Sequence, residues 1–135
     1  MTFEDALEAR LRADEAINGP IGGRIEWGRR IEAIPAVTLQ IVSDPRPQHL
    51  KGFQAVRSTD IQIDVWSATA GEAAQIRDVL INRLVPPAMI EQVRFQRAMI
   101  TNTRGRSEQP QAGQTQRYRG ELFRQSIDIT FTHDA

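Results

Sequence analysis

The chain has no cysteine, and its only histidines are two, His49 and His133, in 135 residues. Disulfides, thiol nucleophiles and Cys-containing zinc sites are therefore excluded, and most histidine-built metal constellations with them. Lysine is nearly missing: of 17 Lys plus Arg, only Lys51 is a lysine. A GC-rich genome accounts for that bias, and arginine also suits interfaces, because its planar fork pairs bidentately. Net charge is absent, with 17 acidic residues against 17 basic ones. A dedicated nucleic-acid binder draws its affinity from an excess of cations over phosphates, and this chain has no such excess. Nor is there an apolar run near the roughly 18 residues that span a bilayer as a helix. The opening Met1-Thr2-Phe3-Glu4-Asp5 is acidic where a secretory signal is basic, so the chain reads as soluble and cytoplasmic, with no membrane partner.

What is present belongs to an ordinary folded domain: 40% apolar and 25% charged residues. A chain of this length forms one domain and buries about two-thirds of its unfolded surface. Charge is separated along it. Residues 94–124 hold seven Arg against Glu108 and Glu121, while residues 1–17 hold five acids against Arg10 and Arg12.

Thr2 with Asp5 three residues on is a capping-box start, and Phe3, Leu7 and Leu11 recur at helical spacing, which predicts a helix of about 15 residues ended by Asn18-Gly19-Pro20. Gly19, Gly22 and Gly23 lack the Gly-Lys-Ser/Thr of a phosphate loop, so this stretch is a connector to the short apolar Ile25-Glu26-Trp27. Val37, Leu39 and Ile41 alternate with Thr38 and Gln40 as a strand; Pro45 and Pro47 open an irregular connection over 44–56. A second strand, antiparallel to the first, sets Ile61, Ile63 and Val65 against Asp60, Gln62, Asp64 and Trp66. Thr69 and Glu72 start a helix with Ala73, Ile76, Leu80 and Leu84 as its buried stripe, broken at Pro86-Pro87. Ile90 to Thr101 reads as a strand with a bulge between Arg97 and Ile100, residues 102–120 as a long polar loop, and 122–132 as a last strand with Phe123, Ile127, Ile129 and Phe131 on one face. The order predicts an α+β fold: an antiparallel or mixed sheet of four to five strands with two helices on one face and a long polar loop before the last strand.

Chemistry is hard to place on this frame. Asp60 and Asp64 share a strand face but stand roughly 13 Å apart at the usual rise, too far for a catalytic carboxylate pair, and read as a solvated or interface face. His49 and His133 lack a triad-like setting and read as surface histidines. No catalytic residue, metal site or cofactor is expected. Trp66 is either a half-buried strand aromatic or an anchor in a subunit contact, where tryptophan is enriched. The loop carrying Arg104, Arg106, Arg117, Tyr118 and Arg119 offers a single aromatic, too few for a stacking nucleic-acid arm. It is a candidate for ordering on assembly. The face with Asp60, Gln62, Asp64 and Asp128 is a candidate channel lining that repels phosphates, with solvent or a neighbouring subunit as the plain alternative.

Gly23-Arg24-Ile25 followed by Ile34-Pro35-Ala36-Val37, and Thr59 to Ala73 followed by Ile76 to Leu84, resemble the tail-completion, or tail-terminator, proteins of long non-contractile-tailed phages. The likeness covers most of the chain, and the arginine-rich composition suits a phage-like gene transfer agent. The resemblance implies a structural protein, not an enzyme, made in the bacterial cytoplasm and ending in the virion. It would form a homo-oligomer, a hexameric ring that caps the tail tube protein, stops tube polymerisation and meets the head-side connector, with DNA only as passing cargo. A connector-side adaptor that completes the head is the alternative.

Overall fold

The computed structural model describes residues 1–29, 33–108 and 122–135. Helix α1 (Phe3–Ala13) opens with the expected capping box: Asp5 N donates to Thr2 Oγ1 at 3.1 Å and Thr2 N to Asp5 Oδ2 at 3.3 Å. The predicted single helix is in fact two. Asp14 takes extended dihedrals, ends α1 and caps α2 (Glu15–Ile21) by accepting from Ala16 N at 3.1 Å. Gly19 and Pro20 lie inside α2 rather than after it. The chain turns at Gly22, whose φ of 57° suits glycine and whose N–H reaches Asn18 O at 2.8 Å.

Strand β1 (Ile25–Trp27) pairs in parallel with β2 (Ala36–Ser43), which pairs antiparallel with β5 (Arg57–Ser67). Between β2 and β5 the expected irregular connection forms a separate two-stranded hairpin, β3 (Gln48–His49) with β4 (Gly52–Phe53). Helix α3 (Ala70–Leu84) buries Ala73, Ile76, Leu80 and Leu84, the predicted stripe. Its cap departs from the simple box. Thr69 Oγ1 accepts from Glu72 N at 3.2 Å, but the Glu72 carboxylate accepts from Ser67 Oγ instead of returning to the Thr69 backbone.

The stretch predicted as one strand over 90–101 is divided. β6 (Ala88–Ile90) and β7 (Val93–Phe95) form a tight hairpin with Glu91 at φ 52°, and β8 (Met99–Glu108) begins after it. β8 overturns the first part of the predicted loop, since residues 102–108 pair with β9 (Leu122–His133). The bulge lies between Ile100 and Asn102, a little beyond its expected place. Side chains 101–107 are exposed on both faces, so no buried face imposes an alternation that a sequence would display. Gly105 lies opposite Gln125, whose flexible amide end occupies the space beside it.

Among the described residues the sheet has seven strands in the order β1-β2-β5-β9-β7-β6, with β8 also on β9. The α+β class and the mixed sheet are as expected. The higher strand count comes from three-residue strands too short to show a period, and the third helix from the break at Asp14. All helices lie on one face. There Leu7, Leu11, Ile17, Ile63, Val65, Leu80 and Ile127 form the core. One end of it is aromatic: the Phe3 ring lies 6.0 Å from Phe95 and 5.8 Å from Phe131 and stacks on His133 at 4.2 Å.

Candidate functional site

The other face of the sheet carries the candidate residues, and strand register brings them into rows. Thr38, Asp64, Ser126 and Arg104 form one row across β2, β5, β9 and β8; Gln40, Gln62, Asp128 and Asn102 form the next. Ser126 Oγ donates to Asp64 Oδ1, Gln62 Nε2 to the Asp64 carboxylate at 3.1 Å, and Thr130 Oγ1 to Asp60 Oδ1 at 2.6 Å. Arg104 makes an ion pair with Asp128 at 2.5 Å. Cross-strand pairs like these act as the unit of sheet stabilisation, and here they are polar. Asp60, Gln62, Thr101, Arg104 and Asp128 line a shallow cleft of about 350 Å³.

The face is less uniform and less solvated than its alternation suggests. Asp64 is only 8% exposed, so the expectation of a solvated carboxylate is corrected at that position, while Asp60, Gln62 and Asp128 stay half-buried. Trp66 is 7% exposed: its Nε1 donates to Thr38 Oγ1 at 3.1 Å and the Arg124 guanidinium lies 5.1 Å from its ring centroid. Little of the ring is left for a neighbour. Arg124 stands opposite Arg106, so the face has a carboxylate-bearing end around Asp60 and an arginine-bearing end around Trp66. Arg104 and Arg106 are exposed strand residues rather than loop residues. Arg117, Tyr118 and Arg119 lie outside the described residues.

A family model described as "Tail completion protein gp17" matches residues 5–128, from the first turn of α1 to the middle of β9. The chain belongs to this family. Among solved structures, a chain of the "Virion of native gene transfer agent (GTA) particle" matches with a TM-score of 0.63, covering 98% of this chain and 95% of that one at 12% identity, a likeness of fold. No curated protein matches in sequence. A tail-completion protein is a structural component of the phage or phage-like tail, as the resemblance implied.

One polar cluster of this tail-completion protein escaped the sequence reading. His133, expected on the surface, is fully buried under Phe3 because the aromatic wall that encloses it comes from α1, β7 and β9, segments far apart in the chain. Ala135 N can only donate, so Nδ1 accepts from it at 3.2 Å and Nε2 carries the proton, directed at Thr59 Oγ1 2.8 Å away. Thr59 in turn donates to Asp44 Oδ1 at 3.0 Å, and Arg57 and Arg46 pair with the same carboxylate. Burial, followed by the charge of Arg57, pushes the His133 pKa down to about 4. Asp44 is also held below the usual carboxylate range: burial opposes its charge, but hydrogen bonds from Arg46 and Thr59 and the charge of Arg57 outweigh that. The trio is not a nucleophilic relay, since Thr59 and His133 are both fully buried and the carboxylate holds the hydroxyl rather than the imidazole. His49, by contrast, is exposed and accepts from Lys51 N at 3.2 Å.

A second buried cation, Arg10, closes the end of α3. Its Nη2 donates to the carbonyls of Arg83 at 3.0 Å and Pro86 at 2.8 Å, and its guanidinium lies 5.1 Å from the Phe95 centroid. This is the usual remedy for the unsatisfied carbonyls of a helix C-terminus. Among the described residues, no group of three or more His, Cys, Asp or Glu is placed to hold a metal.

Proposed function

We propose that this chain assembles into a ring on the end of the tail tube, stops tube polymerisation and joins the tail to the head-side connector, without catalysing a reaction. The family match over residues 5–128 is the observation that carries the reading. The sheet supports it: one face is buried under the helices, and the other is a polar surface held by side-chain hydrogen bonds, fit to line a passage. In that ring Asp60, Gln62, Asp64 and Asp128 lie on the channel side, where carboxylates already bonded to Thr130, Ser126 and Arg104 give the phosphates of passing DNA little to bind. Arg104, Arg106, Arg117, Tyr118 and Arg119 serve the contact with a neighbouring subunit or the tube.

The test is a deletion of the gene in the producing cell, read by electron microscopy of the particles. Tail tubes of uncontrolled length without heads are expected. Tubes of normal length beside unjoined heads would move the protein to the connector side, as a head-completing adaptor.

A further inference from the structure

The β3–β4 hairpin leaves the sheet with its apolar side chains uncovered. Leu50 at its turn is fully exposed, Phe53 is 68% exposed, and Val56 follows at 41%. A hairpin of two-residue strands buries too little to justify presenting such side chains to water. The turn also carries a cation: Lys51 stands beside Leu50, no acid lies between Pro45 and Val56, and Arg46 is already paired with Asp44. Its tip therefore asks for an apolar recess with an acidic rim.

The chain itself has one. Where α1 meets α2 and the chain leaves α3, an open cleft of about 630 Å³ is lined by Ala13, Ala16, Pro86, Pro87 and Ile90, beside Arg10 and Arg83, whose guanidinium groups are bound to backbone carbonyls and to Asp14 respectively. That is within the range of clefts that seat compact apolar groups. Glu15 stands on its rim, exposed and with no ion pair among the described residues, whereas Asp14 beside it is already paired with Arg83 at 3.3 Å. The two features lie apart on the subunit. The hairpin springs from between β2 and β5, on the β1 side of β9, while the cleft borders β6, the last strand at the other end of the order.

We infer that the hairpin tip of one copy of this chain seats in the α1–α2–α3 cleft of the next, Leu50 and Phe53 against the Pro86-Pro87 wall and Lys51 opposite Glu15. Two different complementary patches on one subunit make a heterologous contact, the kind that closes into rings. The inference rests on the ring reading above and names the contact that holds the ring.

The test uses the full chain, sized by analytical ultracentrifugation and imaged on purified tail tubes. Leu50→Asp with Phe53→Ser removes the knob, and Ala13→Arg blocks the cleft; these positions are exposed, and thermal melts check that each variant is folded. Each variant alone is expected to associate about a hundredfold or more weakly than the natural chain. Mixed together, they are expected to stop at dimers, because such a pair keeps one intact contact. Lys51→Glu and Glu15→Lys should each weaken assembly, and together in one chain restore it. Rings from either blocking variant at natural yield, alone or on tubes, would overturn the contact and leave the ring reading standing. Rings that form but no longer sit on tubes would also overturn it, by giving the hairpin to the tube protein. A natural chain that stays monomeric in both settings would overturn both readings.

Discussion

Strand β5 shows two ways of covering a sheet. On its helix side Ile61, Ile63 and Val65 are buried by α1, α2 and α3, a face defined by apolar transfer and tolerant of many apolar combinations. On its other side Asp60, Asp64 and Trp66 are held by named partners on β2 and β9: Thr130, Ser126, Thr38 and Arg124. The first face supplies most of the stability and little information about neighbours. The second contributes less energy, yet it specifies register, because a slip of one residue would separate every one of these pairs.

The sharpest way to break the contrast is at Ile63, which is fully buried. Ile63→Ala is expected to cost about 3–4 kcal/mol, measured as a lower urea midpoint. A smaller effect is expected from acid, acting through His133 at the aromatic end of the core. Its folded pKa of about 4 lies below the unfolded value of 6.5, so between those values the unfolded chain binds the proton and the folded chain does not. Stability is therefore highest above pH 6.5 and falls as pH drops towards 4, by on the order of 2–3 kcal/mol. Urea titrations at pH 7 and 4.5 check it, and His133→Phe should flatten much of the difference. The depressed Asp44 works in the same direction at lower pH, as its carboxylate takes up a proton.

The smallest effects belong to the polar face, and they divide it. Asp64→Asn leaves Ser126 and Gln62 competing for one carbonyl oxygen in a buried place and is expected to cost about 1–2 kcal/mol. Asp60→Asn, at a half-exposed position with one hydroxyl partner, should stay within about 0.5 kcal/mol. Equal losses at the two positions would show that the row through Thr38, Asp64 and Ser126 is no more buried in solution than the row beside Asp60.

The same contrast explains what the sequence could and could not say. Both helix caps, the α3 stripe and the alternations of β2, β5 and β9 were legible because each has one buried face that imposes a period. β1, β6 and β7 are three residues long and carry no period. β8 runs through Asn102 to Glu108 with its side chains out to 107 in water, so its composition looks like a loop although its backbone is paired. Of the candidate site, the membership of the polar face was legible from alternation alone. The burial of Asp64 and Trp66 was not, since it depends on which strands lie beside β5. His133 was missed for a related reason: its surroundings are assembled from residues near 3, 95 and 131, and nothing adjacent in sequence marks them.

The hub of this sheet is also its latest strand to be synthesised. β9 pairs with β5 on one side and with β8 and β7 on the other, and α3 packs against it. While a ribosome is still making residues 122–133, the growing chain can form α3, join β2 to β5 and fold the β6–β7 hairpin, but β8 has no partner and the hairpin no strand to join it to the sheet. Closure then demands contacts across 56 residues of sequence between Ser67 and Phe123 and 76 between Arg57 and His133, a slow and largely concerted step. Surfaces that require a closed sheet are thus withheld until translation has passed His133. A structural tail protein is in this way kept from presenting a half-built sheet to its neighbours as an unfinished polypeptide.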